Sequence, residues 1–320
     1  MKIIEIKRII KIIFISILLT ILLLIIFLKS YIKTSYKGTA ICVIAKNENL
    51  YIKDFVNYYK NLGIKKIFLY DNNEILGENF QEVLKNDIHT NFVEIINVRG
   101  KTKIQVKAYN DCYQKNINDF SWFLIIDVDE YLYIKNNISL YQFLNDIKFK
   151  NCDNIHINHK MYGDSDLLHY DSRPVFKRFW KNYKYMTVVK TFVRGGIKNA
   201  YMRLHRSFNI SRYCNSAGKK VTPKGVTIND LEIKNAEIRH YITKTIEEFY
   251  LKLLKGWPDM KTGSERYFKF IEHRIKYFFQ LNRITQKKFE IIYPLIKNKH
   301  FIKYLLKQLN SSYKIKKKLL

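Results

Sequence analysis

Ser121–Tyr133 reads SWFLIIDVDEYLY, an apolar run that ends in Asp127-Val128-Asp129-Glu130. A strand of this composition belongs inside a sheet, but it cannot bury three carboxylates unpaired. Its end must therefore reach a crevice or meet compensating charge. In open α/β sheets that crevice lies beyond the C-terminal ends of the strands. Two aspartates one residue apart offer oxygens to a hard divalent cation, and such a cation can neutralise a diphosphate leaving group. An ordinary solvated turn after a strand is the competing reading.

Outward from this cluster, strand-like and helix-like stretches alternate. Thr39–Ala45, Ile64–Tyr70 and Phe92–Val98 read as strands, and Leu50–Leu62 and Ile104–Asn116 carry helical spacing. This order predicts an α/β fold with a mainly parallel central sheet. It gathers Lys46, Asn47, Glu48, Asp71 and Asp127–Glu130 at one sheet edge. Farther on, Asn154–Asn158, Pro174–Trp180, Val188–Arg194 and Glu237–His240 read as strands. Lys244–Lys255, Ser264–Leu281 and Phe289–Leu309 read as helices. No G-x-G-x-x-G or Walker A sequence occurs, which removes support for dinucleotide or P-loop chemistry.

Ile12–Leu28 is seventeen residues without a charge. As a helix it would span about 26 Å, so one transmembrane helix over about 9–29 is expected, on a single-pass membrane protein. Lys7, Arg8 and Lys11 on one side and Lys29, Lys33 and Lys37 on the other leave its orientation open. The expected division is an anchor with basic flanks over 1–37, a catalytic domain over 38–258, and a helical basic extension over 259–320. The chain carries 57 basic and 28 acidic side chains, a formal charge of +29. That balance suits nucleic acid, an anionic membrane surface or a phosphorylated substrate without choosing among them. Cys42, Cys112, Cys152 and Cys214 have no metal-ligand or C-x-x-C spacing and read as isolated buried thiols.

Several short elements, in order, resemble the nucleotide-diphospho-sugar glycosyltransferases of GT-A architecture. More narrowly they resemble the family-2-like and family 92 enzymes. They are Lys46-Asn47-Glu48 after the first strand, Tyr70-Asp71-Asn72 after the second, and Gln105 with Ala108-Tyr109-Asn110-Asp111-Cys112. Trp122–Leu132 follows, then Lys190-Thr191-Phe192-Val193-Arg194 with His205, and His240–Phe249. The resemblance covers about 39–256 and implies a GT-A fold. Lys160–Asp166 departs from the family pattern: Asp166 stands where glycine is expected. Gly195 replaces a proline.

Together with the expected N-terminal anchor, the resemblance implies a membrane-anchored, metal-dependent, inverting glycosyltransferase. It would move a sugar from a nucleotide-sugar donor, a UDP-sugar above others, to a hydroxyl of a glycan, glycolipid or glycoprotein. Mn²⁺ or Mg²⁺ would be held by Asp127, Asp129 and His205, with His240 the competing imidazole and Asp127 alternatively on the ribose. Lys46, Glu48, Asp71, Gln105, Asn110, Asp127, Lys190, Arg194, His240 and Lys244 would frame the donor. Asp166 or Asp164 would be the general base. Bilayer lipid is a further expected partner, and no specific nucleic acid is expected. The alternative function is a catalytically inactive, membrane-tethered nucleotide-sugar or glycan-binding protein.

Overall fold

The computed structural model describes residues 13–24, 36–255, 265–296, 298, 300, 302 and 305. Residues 1–37 and 38–320 form two units. In the first, residues 13–24 are helical and their apolar side chains exposed. Twelve helical residues rise only about 18 Å, against a hydrocarbon core of about 30 Å. Among the described residues no helix is long and apolar enough to cross a membrane. The expected transmembrane helix and single-pass localisation are corrected accordingly. The remainder of the expected 9–29 span lies outside the described residues.

In the second unit the early chain follows its apolar pattern. Strand β1 (Thr39–Ala45) is almost wholly buried. Helix α1 (Asn49–Leu62) lays Tyr51, Ile52, Phe55, Val56 and Tyr59 on the core and stops at Gly63. Gly63 takes a φ of 98° and returns its N–H to the last turn, the left-handed cap for which glycine is suited. β2 (Lys66–Asp71), β3 (Val93–Asn97) and β4 (Trp122–Ile125) complete a parallel group in the order β3-β2-β1-β4. Helix α2 (Gln105–Lys115) packs Ala108, Tyr109, Cys112 and Tyr113 against it.

Beyond β4 the sheet is mixed, not mainly parallel. β5 (Glu130–Ile134), β6 (Asn154–Tyr162), β7 (Asn182–Arg194) and β8 (Ala236–His240) extend it in the order β4-β7-β6-β8-β5. β7 runs antiparallel to both β4 and β6, and β5 antiparallel to β8. Pro174–Trp180, expected as a strand, contains the short helix Val175–Arg178. Pro174 sits just before it, at the N-cap, and proline is tolerated at a helix start.

Helices α3 (Ile246–Lys255), α4 (Glu265–Leu281) and α5 (Gln286–Ile292) share an apolar cluster of their own. Thr245 and Glu248 form a reciprocal cap at the start of α3. Glu248 then takes a bidentate pair of bonds from buried Arg178, 2.9 Å each, and one from the Tyr51 hydroxyl at 2.8 Å. The H-Y-x-T-K-T-x-E-E-F stretch thus locks α3 to α1.

The cysteines are not isolated thiols. Cys42 bonds Cys112, joining β1 to α2, and Cys152 bonds Cys214, with Cα separations of 6.0 and 5.9 Å. Their sequence separations of 70 and 62 residues leave no local spacing to read. Closing a loop of the first length is worth about 4 kcal/mol in the chain-entropy account.

Candidate functional site

The acidic cluster is a tight turn between two strands of the sheet. Glu130 donates its N–H to the carbonyl of Asp127 at 3.1 Å, and Asp127 returns its N–H to Glu130 Oε2 at 3.1 Å. The turn borders a cleft of about 380 Å³, also lined by Lys46, Glu48, His205, His240, Lys252 and Arg274. This is not an ordinary solvated turn, because Glu130 is fully buried.

Asp127 is gripped from two elements. Lys190 of β7 stands 2.6 Å from its Oδ2, and the Tyr109 hydroxyl of α2 donates to Oδ1 at 2.9 Å. Gln105, one helical turn before Tyr109, donates to the same oxygen at 3.3 Å. Burial pushes the Asp127 pKa up, but the Lys190 charge and these bonds outweigh it and the net shift is downward. Lys190 is itself fully buried and lies 3.0 Å from Glu130 Oε2. Burial favours its neutral form, yet the two carboxylates hold its pKa above the ordinary lysine value. For Glu130 burial outweighs the Lys190 charge, and its pKa is pushed up to about 7.

Asp129 has different company. Lys252 of α3 approaches its Oδ2 to 2.8 Å, and His240 Nε2 lies 3.6 Å from Oδ1. Burial is again the largest influence and raises the pKa, but Lys252 and His240 together carry it well below the usual carboxylate range. The backbone carbonyl of Asp129 accepts from Tyr241 at 2.9 Å, fixing the turn to β8.

A second set of donors meets behind this pair. Register places Glu130 opposite His240, and His240 beside Met161. His159, two residues earlier, shares the same face of β6. Its Nε2 lies 3.3 Å from Glu130 Oε1, and His240 Nδ1 lies 3.7 Å from that oxygen. Ligand atoms of Glu130, His159 and His240 all fall within 4.8 Å of one another. Glu130 Oε1, His159 Nε2 and His240 Nδ1 are buried without a hydrogen-bond partner, a costly arrangement for polar atoms. Burial, then His240, keeps His159 neutral by holding its pKa well below the ordinary histidine value. Neutral imidazole is the ligating form. One carboxylate and two imidazoles therefore fit a divalent cation.

The other expected residues divide. His205 lines the cleft with Nδ1 3.0 Å from the Val189 carbonyl, and its ring centroid is 6.1 Å from that of His159. Lys46 and Glu48 line the same cleft. Lys244 sits 3.8 Å from Glu48 Oε2, with Nζ 3.1 Å from the centre of the Tyr51 ring. Burial pushes its pKa down to about 8, and its φ of 53° is unusual for lysine.

Asp71 accepts from Arg99 at 2.8 Å. That arginine also holds the carbonyls of Glu74, Ile75 and Glu78, shaping the loop after β2. Asn110 pairs with both backbone groups of Met202.

Arg194 lies at the far end of β7, stacked on Trp122 and donating to the carbonyls of Cys152 and Phe149. Asp164 and Asp166 follow β6 and do not line the cleft. Asp164 is buried against Lys288 of α5, and Asp166 pairs with Lys181.

Four residues of this neighbourhood were given no role from sequence. Tyr109 carried a usable signal, four positions from Gln105 on one helix face. His159 carried the weaker one of a lone histidine in an apolar strand. Lys252 and Arg274 carried none, since each is an ordinary charged position on an amphipathic helix.

The profile of glycosyltransferase family 92 matches residues 37–287. A family 92 protein of Ricinus communis is 26% identical over 100 residues, which is 31% of this chain and 18% of that protein. Another, from Oryza sativa subsp. japonica, is 23% identical over 110 residues, 34% of this chain and 18% of that one. The matched stretch thus spans under a fifth of the length of these relatives. Crystal structures of S. aureus TarS 1-349 also align. The complex with UDP has a TM-score of 0.40 at 10% identity, covering 77% of this chain and 73% of that one. The complex with UDP-GlcNAc has a TM-score of 0.33 at 10% identity, covering 77% and 74%. With the profile spanning most of its length, the chain belongs to glycosyltransferase family 92.

Proposed function

We propose that this family 92 glycosyltransferase transfers a sugar from a nucleotide-sugar donor, a UDP-sugar first, to a hydroxyl of a glycan acceptor. The observation that carries the reading is the cleft at the strand ends. There Asp127, Asp129 and Glu130 meet Lys46, Lys252, His205 and His240 around a volume of about 380 Å³.

In the transfer, the acceptor oxygen bonds the anomeric carbon while the bond from that carbon to the β-phosphate oxygen breaks. The electron pair leaves with the diphosphate. The hydroxyl proton passes to a carboxylate base, for which we propose Asp166, which lies on the loop after β6 outside the cleft lining and must be released from Lys181 when the acceptor binds. Its side chain is 54% exposed, against 3% for Asp164.

Asp129, His240, Glu130 and His159 would hold Mn²⁺ or Mg²⁺, and a bound ion supplies charge stabilisation to the departing diphosphate. The imidazoles favour Mn²⁺. His205 would join this set. Lys46 and Glu48 bind the donor from the first strand end. Asp71, through its grip on Arg99, positions the loop beside them.

A panel of UDP- and GDP-sugars tests the reading. We expect transfer or slow donor hydrolysis with at least one, lost on chelation and restored by Mn²⁺. No turnover and no binding of any nucleotide sugar by the folded protein would overturn it.

A further inference from the structure

Helix α4 lies beyond the stretch that carries the glycosyltransferase motifs, yet Arg274 from its middle lines the cleft. Its guanidinium makes no hydrogen bond or ion pair with any described residue. Its ring neighbour, Phe270, lies 5.9 Å away. The nearest acidic influence is Asp129, whose charge is already met by Lys252 at 2.8 Å and by His240. Arg274 thus presents a planar fork of N–H donors to the cleft with no acceptor for them among the described residues. It is also half-buried, so water compensates it incompletely, and burial lowers its pKa from the ordinary arginine value. A partly desolvated guanidinium on the wall of a cleft, with no acceptor among the described residues, gains from the arrival of an anion. Of the anions such a fork matches, phosphate takes two parallel bonds.

We propose that Arg274 is a catalytic residue that binds the diphosphate of the donor and of the departing nucleotide. The inference rests on the nucleotide-sugar reading above. As the bond between the anomeric carbon and the β-phosphate oxygen breaks, the electron pair stays on that oxygen. Arg274 then meets more negative charge than it met in the intact donor. Such a contact lowers the barrier, not only the donor dissociation constant. It also gives α4 a place in the active site, so residues after 258 are not an appendage to the catalytic domain. Lys252 and Arg274 divide the work: the first neutralises Asp129, the second is left for the ligand.

The test compares uridine with UDP, by calorimetry, on wild type, Arg274→Gln and Arg274→Lys in the presence of Mn²⁺. Melting curves confirm that each variant is folded. We expect Arg274→Gln to weaken UDP binding about tenfold or more, as loss of a charged hydrogen bond requires, and to leave uridine binding unchanged. Turnover with the active donor falls with it. Arg274→Lys keeps the charge and recovers part of the UDP affinity. It also reads the same ratio if the glutamine variant does not fold. Unchanged UDP affinity, or equal losses for uridine and UDP, overturns the inference while leaving the nucleotide-sugar reading in place. A wild-type protein that binds no nucleoside diphosphate overturns that reading and this inference together.

Discussion

Asp127 and Asp129 stand two residues apart on one turn, but opposite parts of the chain hold them. Asp127 is clamped by α2 and β7, through Tyr109, Gln105 and Lys190. Asp129 is met by β8 and α3, through His240 and Lys252. Three partners share Asp127, and its main cation is wholly buried and shared again with Glu130. Asp129 lacks such a clamp: one half-buried lysine and one imidazole face it. A motif therefore does not distribute roles evenly over its letters. The partners differ: the first aspartate is tied to two neighbouring elements, and the second, which we propose for chemistry, meets fewer groups.

The largest effect should come from removing the shared cation. Lys190→Met strands two carboxylates and should destabilise the fold by about 3–5 kcal/mol, read as a shift in urea midpoint. Acid should relieve part of that cost, because Glu130, already poised at about 7, takes a proton. A variant within about 0.5 kcal/mol of wild type would break the contrast between the aspartates.

Asp129→Asn comes next and should act on turnover. We expect a loss of at least about tenfold, in the range of a missing transition-state electrostatic contact, with the urea midpoint shifted far less than by Lys190→Met. Normal turnover would return Asp129 to the structural class.

Tyr109→Phe keeps the ring and removes the bond to Asp127. It should cost about 1.5 kcal/mol and raise the Asp127 pKa, followed by carboxyl NMR or infrared titration. An unmoved titration would loosen the clamp assigned to α2.

The smallest effect is on the Asp129 side. The Lys244 pKa of about 8 in the folded chain lies below the ~10.5 of an exposed lysine. Between these values the unfolded chain binds more protons, so this residue adds stability as pH rises from 8 toward 10.5. Lys244→Met should lack that rise, with a difference at neutral pH of about 1 kcal/mol or less. Parallel stability curves for the two proteins would dismiss the burial of this ammonium.

The contrast also marks how far the sequence could be read. The apolar strand, its acidic end and the early alternation of strand and helix follow periodicities that survive without tertiary context. Those periodicities alone bring Lys46, Glu48, Asp127 and Asp129 to one sheet edge, where all four line the cleft. The sequence leaves Lys190 either a group for phosphate or a solvated strand position; its burial between Asp127 and Glu130 removes the second reading. Period two identifies the face of β7 on which it lies but not what β4 brings opposite. Arg194 shares that face and ends about 13 Å away by strand rise, packed on Trp122.

The mixed half of the sheet, the pairing of Cys42 with Cys112, and the arrival of Arg274 all depend on contacts between distant segments. No local pattern encodes those contacts. In the apolar N-terminal stretch the local pattern overstates instead: its composition suits a membrane span, but the described helix is too short for one.

The separation between Asp129 and its cation has a consequence for biosynthesis. Lys252 follows it by 123 positions, and Lys190 follows Asp127 by 63. At about 5–20 residues per second of synthesis, the acidic turn waits on the order of 3–13 s for its first buried counter-charge. It waits about twice that for the second. Through this interval its carboxylates keep their hydration, and β4 lacks the antiparallel neighbour that covers one edge. A nascent chain halted before α3 would hold the family motifs up to His240 and still lack Lys252, the ammonium that faces Asp129. Ribosome-stalled chains of graded length would locate the point at which this sheet edge closes.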